Sequence, residues 1–282
     1  MKYCDLHNHS IFSDGSNTPT ELIEIAKDKG LSAIALTDHN TIAGLKDFYE
    51  ASQNQPINVI LGSELTCEYK GKEIHMLCMF IDLNRTQGIE KFIKSIRAIK
   101  RERNIELASK LSADGYEIDF FELEKRFGNN INRAHFAKVL VEKGKVESVD
   151  IAFNTILVEG GRYYQGSARP CALNTISDIV SWGCVPVMAH PLLSLDKELL
   201  EEFLPLARQR GLVAIEVYYP KFDASEIKYL KDLASKNDLL LSGGSDYHGS
   251  IKQGIEMGMA SVPYSCYKHL YNQKQKTIKG LS

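Results

Sequence analysis

Short β-rich runs that each stop at a histidine, aspartate or glutamate recur along this chain, and this pattern limits its fold more than any other feature. Lys2–Leu6 leads into His7-Asn8-His9, with Asp14 in the loop beyond. Ser32–Thr37 leads into Asp38-His39, Ile57–Leu61 into Gly62-Ser63-Glu64, Cys184–Ala189 into His190-Pro191, and Leu239–Ser242 into Ser245-Asp246-Tyr247-His248. Helical patterns separate these runs. Thr18-Pro19-Thr20-Glu21 is a capping box with Pro at the first helical position, and Gly30 is a stop, so the first two strands flank a helix as a βαβ unit. Val213–Tyr218 reads as another buried strand, between helical stretches at Lys197–Arg210 and Asp223–Lys236. In parallel α/β proteins the carboxyl ends of the strands share one rim, where ligands bind. Metal-type side chains at five such ends are therefore expected to converge.

The middle of the chain differs. Gly88–Ser112, Phe120–Phe127, Arg133–Lys143 and Asp150–Val158 read as helices. Residues 96–166 are expected to form a helical insertion between two parts of one α/β domain, 1–95 and 167–270, with 271–282 as a loose C-terminal tail. The 282 residues carry 34 Lys+Arg against 36 Asp+Glu, a net charge of −2, so no strong field draws the chain to DNA or to a membrane surface. No apolar run approaches the ~20 residues of a membrane span. The six cysteines form no Cys-x-x-Cys pair and the N-terminus turns polar at once, unlike a signal peptide; a cytoplasmic location is expected.

Two residues apart in extended backbone, His7 and His9 share a face. His75 begins an apolar run instead of ending one. Lys70-Gly71 reads as a two-residue hairpin turn between Leu65–Tyr69 and Lys72–Ile81, which pairs Thr66 with His75 and places Glu64 diagonally beside it. The candidate ligands are His7, His9, Asp14, His39, Glu64, His75, His190, Asp246 and His248. At about three protein ligands per catalytic ion, this set suits two to three divalent ions, with one carboxylate bridging. Imidazole and carboxylate without thiolate suit Mn, Fe or Zn, and Mn is the first expectation. Divalent ions in such number exceed the three carboxylates in charge, an excess that suits a phosphate dianion attacked by a bridging hydroxide and that a neutral amide does not require. Asp38, adjacent to His39 in extended backbone, points away from it and is expected to orient ligands. The aromatic pairs Tyr163-Tyr164 and Tyr218-Tyr219 either pack or stack on a base.

The runs Asp5-Leu6-His7-Asn8-His9-Ser10, Ser13-Asp14-Gly15, Thr37-Asp38-His39, Glu64, His75, Ala189-His190-Pro191 and Gly244-Ser245-Asp246-Tyr247-His248-Gly249 together resemble the polymerase and histidinol phosphatase (PHP) family. The resemblance implies a distorted seven-stranded β/α barrel with a trinuclear metal site. It assigns His7, His9, Glu64 and Asp246 to one ion, Asp14, His39 and His248 to a second, and Glu64, His75 and His190 to a third. Asn132-Arg133-Ala134-His135-Phe136-Ala137 is similar to an Arg-x-His-x-Ala segment of PHP enzymes that act on nucleoside 3′,5′-bisphosphates or on the 5′ end of short RNA, with Ala134 where Pro is expected. That likeness implies phosphate contacts for Arg133 and His135, and His135 or a water on the metal as proton donor to the leaving group. The expected partner is a small phosphorylated substrate, a nucleotide or short oligonucleotide, with no membrane and no obligate protein partner. A histidinol-phosphate phosphatase and a non-catalytic metal-binding regulatory module are the competing readings.

Overall fold

The computed structural model describes residues 2–128, 131–158, 160–164 and 169–281. The chain divides into two compact units, Met1–Lys91 with Pro170–Ser282, and Phe92–Arg169. In chain order the elements are β1 Tyr3–Asp5, α1 Pro19–Asp28, β2 Ala33–Leu36, α2 Leu45–Ser52, β3 Asn58–Tyr69, β4 Lys72–Met79 and α3 Gln87–Ala113. Then come α4 Phe120–Phe127, α5 Arg133–Glu142, α6 Val149–Thr155, α7 Ala172–Ser181, β5 Val185–Met188, α8 Pro191–Ser194 and α9 Lys197–Gln209. The chain continues through β6 Ala214–Tyr218, α10 Ala224–Lys236, β7 Leu240–Gly243, a 3-10 turn Gly249–Ile251, β8 Val262–Pro263 and α11 Tyr264–Leu281.

The first unit is built on one sheet in the order β7-β6-β5-β4-β3-β2-β1-β8. Leu6 N donates to Gly243 O at 3.2 Å, and Asn8 bridges Tyr247 in parallel, which brings the β7 edge back to β1. Seven strands thus form a nearly closed barrel, and the two-residue β8 adds antiparallel to the start of β1. β4 runs antiparallel to both β3 and β5, while the other neighbours among β1–β7 are parallel. The interior is apolar, with Leu6, Ala35, Ile60, Leu77, Val187 and Ala214 fully buried.

α1 starts as its sequence dictates: Thr18 accepts from Glu21 N, and the Glu21 carboxylate accepts from Thr18 N. The Lys70-Gly71 turn is also as expected. Both residues have positive φ, 48° and 77°, and the register pairs Tyr69 with Lys72 and Thr66 with His75.

Two expectations are corrected, and two helices were not foreseen. Glu64 does not end its strand but lies inside β3, because beyond Leu61 the strand leaves its parallel pairing with β2 and continues as the hairpin with β4. The stretch expected as a tail from 271 is helical to Leu281, anchored by buried Leu270 and by Lys274 Nζ on the carbonyls of Phe80 and Gly183. The helices α2 and α7 carry no strong capping signal, with no side-chain cap bond at Gly44 or Cys171, and the sequence did not reveal them.

The second unit has its own core, with Leu107, Leu111, Phe120, Phe136, Leu140 and Leu157 buried together. Side chains cap its helices: Asp119 on α4, Asn132 on α5 and Ser148 on α6. Of the expected insertion, residues 129, 130, 159, 165 and 166 lie outside the described residues.

Candidate metal centre

All nine candidate ligands meet at one end of the barrel in the first unit. β1, β2, β5 and β7 deliver theirs from beyond their carboxyl ends, and Glu64 lies inside β3, just past its parallel pairing with β2. His75 is the fourth residue of β4, and it reaches the same rim because β4 runs the other way. The close approach of β7 to β1 needs a glycine at 244, where a Cβ would lie 2.4 Å from His7 Cβ. Two of the nine occupy left-handed backbone, His190 at φ 25° and Asp246 at φ 55°, strain of the kind that surrounding structure holds in place at functional sites.

Glu64 is fully buried at the centre. Its Oε2 lies 3.1 Å from His7 Nε2, 3.2 Å from His9 Nε2 and 3.1 Å from His39 Nδ1. Its Oε1 lies 2.8 Å from His75 Nδ1 and 3.2 Å from His190 Nε2. These imidazoles hold the Glu64 pKa well below the usual carboxylate range although burial opposes it. On one side His9, Asp14, His39 and His248 converge; His7, His9 and Asp246 form a second group, and His39, Glu64 and His75 a third. His39 belongs to two of these groups, through Nδ1 towards Glu64 and Nε2 towards Asp14. Burial holds its pKa down at about 4, so the ring is neutral and its lone pair is free for a ligand.

The hydrogen bonding of these atoms is unusual for a buried polar cluster. His7 Nε2, both ring nitrogens of His9, Glu64 Oε2 and His190 Nδ1 are buried without a hydrogen-bond partner. Buried polar atoms are normally paired. Here lone-pair donors point at one another across about 3 Å, an arrangement that suits divalent cations between them and that hydrogen bonding alone does not satisfy.

A ring of further residues fixes the cluster. Glu216, fully buried, receives His7 Nδ1 at 3.1 Å on each oxygen, and its Oε2 also accepts from His190 N at 2.8 Å. The first contact leaves His7 Nε2 facing the cluster, and the second pins the strained His190 backbone. His248 Nδ1 donates to Asp246 O at 2.9 Å, which turns its Nε2 towards Asp14. Asp5 accepts from His7 N, Asn8 Nδ2, Ser245 N and Oγ, and Gly258 N, tying the ends of β1 and β7 together; burial nevertheless raises its pKa. Asp38 accepts from Ser10 N, Ser10 Oγ and Ser13 Oγ at 2.7, 2.6 and 2.5 Å, and so shapes the loop that carries Asp14. Tyr219 is buried against His190 with its hydroxyl donating to Asp246 Oδ2 at 2.9 Å, and is not placed to stack on a base. Glu216 was not foreseen, although a glutamate inside the apolar run Ala214–Tyr218 is itself a signal.

Arg133 and His135 lie on the first turn of α5 in the second unit. The Arg133 guanidinium sits between the rings of Phe153 and Tyr164, at 4.8 and 4.9 Å, and Nη1 donates to Leu157 O. His135 Nδ1 accepts from Asn132 N at 3.1 Å as the second half of a capping box. Partial burial, then Lys100 and Lys138, lower its pKa, so the ring is a neutral donor at Nε2. That state provides a hydrogen bond to an anion and disfavours the acid role. Tyr163, the other aromatic beside Tyr164, donates to Asp114 Oδ2 at 2.6 Å.

The PHP domain model matches residues 5–164. A 3′,5′-nucleoside bisphosphate phosphatase of Chromobacterium violaceum is 29% identical over 262 residues, 92% of this chain and 91% of that protein. A 5′-3′ exoribonuclease of Haemophilus influenzae is 28% identical over 248 residues, 88% and 90% of the two chains. Among solved structures, a candidate metal-dependent phosphoesterase of Bifidobacterium adolescentis superposes with a TM-score of 0.74 at 28% identity, covering 95% of each chain. With the family model spanning more than half of its length, the chain belongs to the PHP domain family.

Proposed function

We propose that this protein is a metal-dependent phosphoesterase that hydrolyses phosphomonoesters of nucleotides, with a nucleoside 3′,5′-bisphosphate or the 5′ end of a short RNA as substrate. The observation that carries this reading is Glu64, one buried carboxylate facing five imidazoles, with its own Oε2, His7 Nε2 and both ring nitrogens of His9 buried without a hydrogen-bond partner. The reading assigns His7, His9, Glu64 and Asp246 to one divalent ion, Asp14, His39 and His248 to a second, and Glu64, His75 and His190 to a third. The donor set, imidazole and carboxylate without thiolate, suits Mn, Fe or Zn, and the reading takes Mn first. Ions so held supply Lewis acidity, which makes a water nucleophilic near neutral pH and offsets charge on the phosphoryl oxygens.

The protein's own part is orientation. Glu216 and the Asp246 carbonyl fix which nitrogen of His7 and His248 faces the cluster, and Asp38 and Asp5 hold the loops that carry the remaining ligands. Arg133 and His135 belong to the proposal as phosphate contacts, supported by residue type and by the neutral Nε2 donor of His135. The relatives named for nucleotide and RNA substrates, similar over about nine-tenths of the chain, support the substrate class. A cytoplasmic setting fits six cysteines that form no disulfide. Among the described residues no helix is long and apolar enough to cross a membrane.

Phosphate release from a nucleoside 3′,5′-bisphosphate, adenosine monophosphate and histidinol phosphate, with Mn and with chelator, tests the reading. The bisphosphate is expected to be hydrolysed fastest and only with metal. Preference for histidinol phosphate would move the substrate class, and no release from any ester would leave a metal-binding module.

A further inference from the structure

Lys252 lies on the rim of the cluster and has no part in the account above. Its Nζ contacts Asp246 Oδ2, the oxygen that already accepts from Tyr219. Asp246 Oδ1 instead faces His9 Nε2 at 3.3 Å and His7 Nε2 at 3.7 Å. The two oxygens therefore serve different sides, so the lysine does not compete with a cation for the one turned inward. The segment carrying Lys252 is held in place, because Ser250 N donates to Ser16 Oγ at 2.9 Å and Ser16 N to His248 O at 3.1 Å.

Fixing Asp246 does not require a further, cationic donor when the neutral Tyr219 hydroxyl already bonds the same oxygen. An ammonium has three protons, of which Asp246 accounts for one. The lysine side chain is 28% exposed, so it is open to a ligand arriving at the mouth. We infer that Lys252 is a substrate-binding residue whose ammonium donates to a phosphoryl oxygen of an ester bound at the cluster. The inference rests on the phosphoesterase reading of that site. The residue supplies a donor of the protein's own at the mouth of the site, beside the inward-facing Oδ1 of Asp246.

Binding of inorganic phosphate to the Mn-loaded protein tests this, by calorimetry on wild type, Lys252→Met and Lys252→Arg, with metal content measured on the same samples. Lys252→Met is expected to keep its metal and lose about tenfold or more in phosphate affinity, the scale of a charge-assisted hydrogen bond. Lys252→Arg is expected to recover most of that loss. Unchanged phosphate affinity in Lys252→Met overturns the inference, as does a loss that merely follows lost metal. The two readings fail separately: a wild type that hydrolyses no ester but binds phosphate through Lys252 refutes catalysis alone. A wild type that hydrolyses the bisphosphate while Lys252→Met binds phosphate normally refutes only the role of the lysine.

Discussion

Glu216 makes the sharpest residue-scale demand. It holds the proton side of His7 and the backbone of His190 at once, 3.1 and 2.8 Å away. Glu216→Ala leaves both donors buried without a partner, and each such group costs about 1–3 kcal/mol. It also frees His7 to rotate, so metal affinity should fall roughly 10–100-fold, the usual effect of losing a carboxylate behind a metal-binding histidine. Metal titration together with urea unfolding of the metal-free variant measures both effects, and an unchanged metal affinity would remove Glu216 from this role. Tyr219→Phe deletes one donor to Asp246 and should cost about 0.5–1.5 kcal/mol in the same unfolding measurement. The candidate ligands were legible in the sequence because strand ends are where a barrel presents its chemistry. The residues behind them were not, because an orienting glutamate is defined only by what it touches across 209 residues of chain.

At the scale of elements, the β3–β4 hairpin and the start of α5 carry predictions. Lys70 and Gly71 both adopt left-handed backbone, and that turn sets the register that puts His75 beside Glu64. Gly71→Val should destabilise the protein by about 1–2 kcal/mol, seen as a lower unfolding midpoint, since a β-branched residue resists positive φ. The hairpin was readable because two residues specify the turn. Glu64 itself was misplaced at a strand end, because Gly62-Ser63-Glu64 has poor strand propensity and is kept extended by pairing with β4 and a parallel bridge to His39.

In α5 the His135 pKa is lowered from its ordinary 6.5, chiefly by burial. The unfolded chain then binds a proton at this site more readily than the folded chain. The stabilising contribution is therefore complete above about pH 6.5 and is lost as the pH falls below that value. An NMR titration should place His135 below 6.5, and His135→Ala should flatten the acid-side slope of stability. A midpoint at or above 6.5 would contradict the capping geometry.

Across the whole molecule, the first unit concentrates unsatisfied polar atoms, His7 Nε2, both ring nitrogens of His9 and Glu64 Oε2, at the end of its barrel. Stability should therefore depend on metal. Ions that bind the folded chain and not the unfolded one stabilise by about 2.7 kcal/mol at a hundredfold excess over Kd, so Mn should raise Tm and chelation lower it. The barrel was legible from alternating strands and helices. The helices of the middle stretch were legible individually, but their common core around Phe136 and Leu157 is a product of tertiary packing that no local pattern encodes.

The central claim is that the side chains around Glu64 hold divalent cations. Anomalous diffraction from crystals grown with Mn addresses it most directly. The account predicts two to three peaks, at least one shared through Glu64 and the others bordered by His7, His9, Asp246, His39, His248, His75 and His190. A map with no anomalous peak among these residues, at a Mn concentration that supports phosphate release, would contradict it.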